Sequence, residues 1–529
     1  MTARDGERGS DADALARVRE AGGQELAERL LHLDAVRDAP RAQAPRPRAP
    51  DIGAEPDFDV VIAGGGLSLL YAPVLASHGL RVAVLERARA GAVHREWNAS
   101  GPELQALVRA GLVSAAELEA LIVARYRVGV CRWHGGGEYA VRGVLDHAVD
   151  AAALLEQARR LALARGVEIQ DGTALEAVAE GAGGIALGVR ASGVPRTLTA
   201  RLLVDARGAS SPWASADMVC PTVGGVVTGL AEGEGRDRMR RDVGEILATT
   251  EGIDDGRQHV WEAFPGACGE TTVYLFHYAR AGAVRRGELL QLYARFFARL
   301  PSYKRGQARL LRPTFGFIPG WSRLGPPPAP PSPRVVLVGD AAARHPPRTL
   351  CGFGPTLSSL APAAAAMARA AQPGGDVSPA ALACIVDDRP LHAVTGALAM
   401  VLASPSADPR RAGELNALLD AAFAALHAQG EEGFAALLRD EARPGDVIRP
   451  ARHRNAAPAR LPRRPGSPRR ASTARWAAGW CAPRWAMVKC GRSALAALAG
   501  RDRHVACGVP ARAATVPRAR QLLGPRKSP

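Results

Sequence analysis

The run DFDVVIAGGGL, residues 57–67, constrains the fold more than any other part of the chain. Val60, Val61, Ile62 and Ala63 form an apolar run of strand length, and Gly64, Gly65 and Gly66 follow at once. A helical pattern, LLYAPVLASHG, comes next, then a second apolar run, RVAVLE, ending at Glu86. Strand, glycine turn, helix and strand make the unit in which glycines bring the backbone close to a pyrophosphate at a helix N-terminus. Glu86 stands about 20 residues past the turn, where a carboxylate can accept from a ribose hydroxyl. The fingerprint is incomplete, because Ser68 and Leu69 fill the two places where a third glycine would fall. Taken by itself, such a turn also serves strand-to-helix connections that hold no nucleotide.

Two further segments make accident a poor explanation. Val204-Asp205-Ala206-Arg207-Gly208-Ala209-Ser210-Ser211 ends one predicted strand. Val338-Gly339-Asp340-Ala341-Ala342 ends another, with Pro347 and Gly352-Phe353-Gly354 downstream. In the last segment a strand-end aspartate can reach a ribityl hydroxyl, while the glycines and the following helix start bring N–H groups toward an isoalloxazine ring. The three in this order predict an α/β fold with a Rossmann-like FAD-binding domain.

The chain has 529 residues, 47% of them apolar, enough for two or more cores. Its net charge of +16 is uneven: after Pro450, 18 Lys and Arg face Asp502 alone, which leaves the rest near neutral. The high pI therefore describes a tail and predicts no nucleic-acid surface on the folded part. Eight cysteines (131, 220, 268, 351, 384, 481, 490 and 507) lack CxxC spacing, which argues against a zinc ribbon or a dithiol redox motif and predicts no metal site. No apolar run reaches the roughly 18 to 20 residues of a bilayer crossing. Asp5, Glu7, Asp11 and Asp13 at the start are unlike an organelle transit segment.

Patterning divides the chain as follows. Residues 1–56 read as a linker ending in APRAQAPRPRAP, with QELAERLLHLDAV as one short amphipathic helix. Residues 57–96, 140–215 and 335–375 form the discontinuous FAD-binding domain, and residues 97–139 and 216–334 a substrate domain built on an antiparallel sheet. In PTLSSLAPAAAAMARAA, Pro362 interrupts a helix. Residues 376–445 form a helical C-terminal extension, and residues 446–529 a basic disordered tail.

More specific than any glycine pattern are Arg95-Glu96-Trp97-Asn98-x-Ser100 and the WEAFP of residues 261–265. With the GDAA…P…GFG block they resemble the CruA/CruP-type lycopene cyclase family, closer to its CruP-type branch, in the FAD-dependent superfamily that also holds aromatic-ring hydroxylases and geranylgeranyl reductases. The likeness spans about residues 58–440 and includes LPSYKRG and FGFIPGW. Departures are Ser68 and Cys351 where the family has glycine, and Gly101 where it usually has arginine. The resemblance implies FAD, with NAD(P)H as electron donor, an apolar carotenoid substrate, peripheral contact with a membrane and a chloroplast location. It carries no oligomeric state. Expected cofactor contacts are Gly64, Gly65, Gly66, Glu86, Arg95, Asp205, Gly208, Gly339, Asp340, Pro347, Gly352 and Gly354.

Glu262 is the chemically pointed residue, a carboxyl between Trp261 and Phe264 in a predicted strand. Cyclising the end of a linear polyene needs an acid and a shielded cation. A carboxyl desolvated beside aromatic rings keeps its proton, and an aromatic face attracts a carbocation. Glu262 and Trp261, with Glu96 sharing the acid's task, are the expected catalytic residues; an outward-facing Glu262 on an edge strand is the plain alternative. CruP-type members are linked to limiting carotenoid epoxides, so the reaction is open at this stage. Two other functions stay open, an FAD/NAD(P)H-dependent monooxygenase and a flavin-poor paralogue that only binds.

Overall fold

The computed structural model describes residues 11–38, 55–93, 96–181, 183–322, 332–343, 351–385, 399–403, 413–428, 430–439 and 441. The predicted basic tail, Arg95 and Pro347 lie outside them.

The opening apolar run is strand β1 (Phe58–Ala63), buried through Val60–Ala63. It pairs in parallel with β2 (Val82–Glu86) on one side and with the C-terminal half of β11 (Val194–Asp205) on the other. Two more parallel strands, β8 (Glu168–Asp171) beside β2 and β18 (Val335–Leu337) beside β11, extend the sheet. Continuous burial along β1 is what a parallel strand covered on both faces requires. An antiparallel pair, β9 (Thr173–Gly181) and β10 (Gly184–Ala191), folds onto the N-terminal half of β11. Helices α3 (Tyr71–Ser77), α6 (Ala151–Ala164) and α8 (Phe353–Ala370) share one core with Ile62, Val84 and Val204. The helix α8 runs through Pro362 without a break, contrary to expectation. A proline removes a single N–H, and the buried stripe of Leu357, Leu360, Ala364 and Met367 holds the helix on both sides of it.

The second sheet is eight-stranded. Its centre is β12 (Met218–Leu230), antiparallel to β15 (Thr271–Phe276) and to β17 (Gly306–Gly320). Beyond β15 lie β14 (Val260–Pro265), β13 (Val243–Ala248), β5 (Val128–Arg132) and β6 (Glu138–Val141), and β16 (Ala279–Arg280) adds a short edge. Every pairing is antiparallel except β13 with β5. One face is covered by α7 (Glu288–Tyr303), whose Tyr293 and Phe296 are fully buried.

At the N-terminus the helix expected over QELAERLLHLDAV is present as α2 (Gln24–Asp38), and the linker reading is corrected over α1 (Asp11–Gly22), a helix that was not expected. Val18, Leu26 and Leu30 are buried in the same cluster as Trp261 and Tyr293. The charges of DADALARVREAG hide a narrow stripe, Ala14 and Val18 at i, i+4, which is all that a helix needs to dock.

A three-stranded sheet of β3 (Glu96–Ala99), β7 (His147–Asp150) and β4 (Ile122–Arg125) links the layers. The helix α4 (Gly101–Arg109) starts with a capping box, Ser100 with Glu103, and packs on α8, while α5 (Ala115–Leu121) follows it. Leu104, Leu107, Leu118 and Leu121 join the core of the first sheet. Of the helical extension, α9 (Glu414–His427) and α10 (Glu431–Leu438) sit against β6. Phe423 meets Trp133 edge-on at 4.8 Å, and Asp420 accepts from the Gly137 N–H and the Tyr139 hydroxyl. Among the described residues no helix is long and apolar enough to cross a membrane.

Candidate active site

The three segments singled out in the sequence leave the C-terminal ends of the neighbouring strands β1, β11 and β18, where ligands of open α/β sheets bind. Facing them is the open side of the second sheet. Between the two lies a cavity of about 380 Å³, within the usual range for small-molecule sites. Its first wall combines the small residues Ala206, Gly208, Gly339 and Gly352 with Leu67, Tyr71, Val338, Asp340 and Phe353. Its second carries the side chains of Cys220, Thr222, Glu262, Phe264, Tyr274, Phe276 and Ile318. The segment Glu96–Asn98 of β3 also contributes.

Local geometry explains the first glycines. Gly64 has φ +114°, and a Cβ there would stand 2.4 Å from the Ala206 carbonyl oxygen, so only glycine lets the β1 and β11 turns touch. A Cβ on Gly65 would meet that of Ala90 at 2.6 Å. The Glu86 carboxylate accepts from the N–H groups of Gly65 and Ala88, at 2.8 and 2.9 Å, and so ties the end of β2 to the turn. Ser68 donates to the Gly64 carbonyl at 2.8 Å, taking up a turn oxygen that a glycine at this position would leave alone. The helix then opens as a 3₁₀ turn over Leu67–Leu70 before becoming α-helical, with Leu69 fully buried where close helix–strand packing calls for glycine.

Two expected cofactor contacts are corrected. Asp205 is fully buried: Oδ1 accepts from the Arg207 N–H and Nε, and Oδ2 from Arg207 Nη2 and the Ser211 hydroxyl. A carboxylate with four donors around it fixes the β11 turn, presenting Ala206 and Gly208 to the cavity without reaching it itself. Gly354 is also turned away, since a Cβ there would lie 2.2 Å from Glu103 Oε1; it is the small residue that lets α8 pack against the cap of α4. Gly208, Gly339, Asp340 and Gly352 do face the cavity.

The strand period separates Trp261 from Glu262. Successive side chains point to opposite faces, and Trp261 lies on the α7 side, stacked on Tyr303 at 4.6 Å between centroids and 5.7 Å from Phe296. It is 1% exposed and does not line the cavity, which corrects its expected catalytic place. Phe264, two residues beyond Glu262, is the aromatic ring that shares the cavity face.

Glu262 is directly opposite Tyr274 on β15, and the surface it keeps faces the cavity. Burial raises its pKa from 4.5 to about 8, and among the described residues no donor or cation offsets that burial. Burial thus favours the protonated carboxyl at neutral pH. Glu96 also lines the cavity, but its Oε2 accepts from the Thr272 hydroxyl at 3.3 Å. Of the three carboxyls that border the cavity, Glu96, Glu262 and Asp340, Glu262 stands in an apolar wall and Glu96 beside a hydrogen-bond donor. Cys351 borders it as well, its thiol pushed up to about 12 by burial, with the Glu103 and Glu262 carboxyls nearby adding to the shift.

Sequence reasoning missed Tyr71, Cys220, Thr222, Tyr274, Leu145 and Asn98 as cavity residues. For Thr222 and Tyr274 the signal was strand pairing: they belong to β12 and β15, where alternate residues line the face that Glu262 occupies.

No family model and no curated protein sequence matches the chain. Solved structures do. A geranylgeranyl bacteriochlorophyll reductase-like protein from Thermoplasma acidophilum superposes over 74% of this chain and 98% of its own, with a TM-score of 0.55 and 16% identity. A triple mutant of the flavin-dependent brominase Bmp2 covers 75% of this chain and 99% of its own, with a TM-score of 0.51 and 15% identity. The chain therefore has the mixed α/β fold found in flavin-dependent oxidoreductases.

Proposed function

We propose that the cavity holds the isoalloxazine ring of FAD and that the chain acts on the end of an apolar polyene, a carotenoid, by acid catalysis. The observation that carries this is the place of Glu262, a carboxyl whose pKa burial raises, in an aromatic wall facing the ends of three parallel strands. The residues present suit FAD: Gly64 permits the close turn, Glu86 ends β2 beside that turn as the expected ribose partner, and Gly208, Gly339 and Gly352 bring backbone to the cavity between the side chains of Leu67, Tyr71, Val338 and Phe353. When bound and reduced, FAD supplies negative charge that stabilises a cation beside it.

The chain's own residues do the rest. Glu262 donates its carboxyl proton to a terminal double bond of the polyene. The neighbouring alkene closes on the resulting cation, a proton leaves from the adjacent carbon, and no net oxidation occurs. Glu96, with one oxygen already accepting from Thr272, is the group placed to take that proton. Phe264 and Phe276 exclude water and turn aromatic faces toward developing positive charge. NAD(P)H as reductant and residence at plastid membranes belong to the same proposal, resting on the likeness of the EWN and WEAFP motifs.

The test is to express the chain, record its visible spectrum, and supply lycopene under reducing conditions. A bound-flavin spectrum and a cyclised product are expected, with Glu262→Gln keeping the flavin and losing the product. A colourless protein that FAD cannot reconstitute, or an unaltered product yield from Glu262→Gln, would sink the proposal. Oxygen uptake coupled to a hydroxylated product would reassign the cavity to a monooxygenase.

A further inference from the structure

Leu145 is a branched residue in the left-handed region, at φ +47°, and it lies in the cavity wall. A bulky side chain in this backbone region is a steric outlier that persists only when its surroundings determine it. Here they do, from two directions. On one side the cap of α4 holds the turn: Leu145 N–H donates to Ser100 Oγ at 3.3 Å, and Asp146 Oδ1 accepts from Gly101 N–H at 3.0 Å. On the other, residues of the C-terminal extension hold it: Glu431 accepts from the Arg142 N–H at 2.9 Å, and Arg439 donates to the Gly143 carbonyl at 2.9 Å. Asp146 further accepts, through its carbonyl, from Tyr126 N–H at 2.8 Å. Glycine takes up the left-handed turn at position 143, yet at 145 a leucine is held in that conformation in the cavity wall.

We propose that Leu145 is a specificity-determining residue: clamped between α4 and α10, it sets the width of the end group that the cavity admits. This rests on the polyene reading of the same cavity and adds to it a limit, open-chain ends over cyclised ones. The helical extension thereby shapes the cavity through the 142–146 turn, while none of its described residues lines it.

The experiment compares the full-length protein with Leu145→Gly, which opens the wall and relaxes the backbone, and Leu145→Ala, which opens the wall and keeps the strain. Lycopene and β-carotene, of equal chain length with open and ring ends, are titrated in detergent micelles and followed by quenching of tryptophan fluorescence. The wild type is expected to prefer lycopene, and both variants to narrow that preference about tenfold, the effect of an added methylene's worth of room. Leu145→Gly should also melt no lower than the wild type, because glycine adopts φ +47° without strain. An unchanged preference in both variants overturns the proposal, as does a Leu145→Gly protein that melts below Leu145→Ala, which would make the leucine a packing residue. Failure of all three proteins to bind either carotenoid refutes the polyene reading itself, a different result from binding without discrimination.

Discussion

Replacing Glu262 by Gln tests the buried acid without any substrate. The wild-type carboxyl titrates near 4.5 when unfolded and at about 8 when folded. Its folded pKa is raised, so its contribution is intact below pH 4.5 and is lost as pH climbs through 8, because the unfolded chain releases the proton first. The difference corresponds to about 3 kcal/mol by pH 7 and roughly 5 kcal/mol above pH 9, taking 1.36 kcal/mol per pKa unit between 4.5 and about 8. Glu262 keeps part of its surface exposed, and solvent screening of that part lowers the figure to a few kcal/mol. The glutamine amide is isosteric and does not titrate, so this dependence should vanish in Glu262→Gln. The assay is urea denaturation of both proteins at pH 5, 7 and 9. The two should be close at pH 5, and the variant should gain on the wild type at each step upward. Parallel pH curves would show a carboxyl that is solvated and ionised, and the acid mechanism would go with it.

Three further outcomes are expected. Trp261→Ala removes a fully buried indole and should lower stability by about 3–5 kcal/mol while flavin absorbance per folded molecule stays constant; flavin loss at unchanged stability would put the indole at the cavity. Asp205→Asn leaves the Arg207 guanidinium without its counter-charge and should destabilise by about 3–5 kcal/mol in urea, against less than about 1 for a surface pair. Deleting residues 1–38 strips Val18, Leu26 and Leu30 from the α7 face, and the truncated protein should bind a hydrophobic dye and melt earlier; an unchanged melting curve would return this segment to the status of a linker.

The parallel half of the fold was legible because apolar runs ending in glycine are long-range statements: each names a strand buried on both faces and the turn at its C-terminal end. Three of them placed one cleft. The partner of each side chain was not legible. Asp205 looks like a ligand at a strand end, but Arg207 and Ser211, two and six residues on, occupy it. Gly354 belongs to a glycine block, yet its contact is Glu103, some 250 positions earlier in the chain, which only tertiary packing reveals. Of the WEAFP motif, alternation predicts that Trp261 and Glu262 face apart, but which of the two meets the cavity depends on where α7 docks. The helix α1 and the docking of both N-terminal helices were hidden for a related reason: their partner surface is made by α7 and β17, elements nearly 300 residues away.

Strand β14 has a larger implication. It is a partition, dry against α7 and lined with an acid on the other side, and its pleat is all that keeps the two environments assigned. Inserting or deleting one residue ahead of Trp261 would exchange them, thrusting a carboxyl into the aromatic stack and an indole among the glycine turns. Variation in the lengths of nearby loops is therefore tolerable only if this strand's parity is preserved.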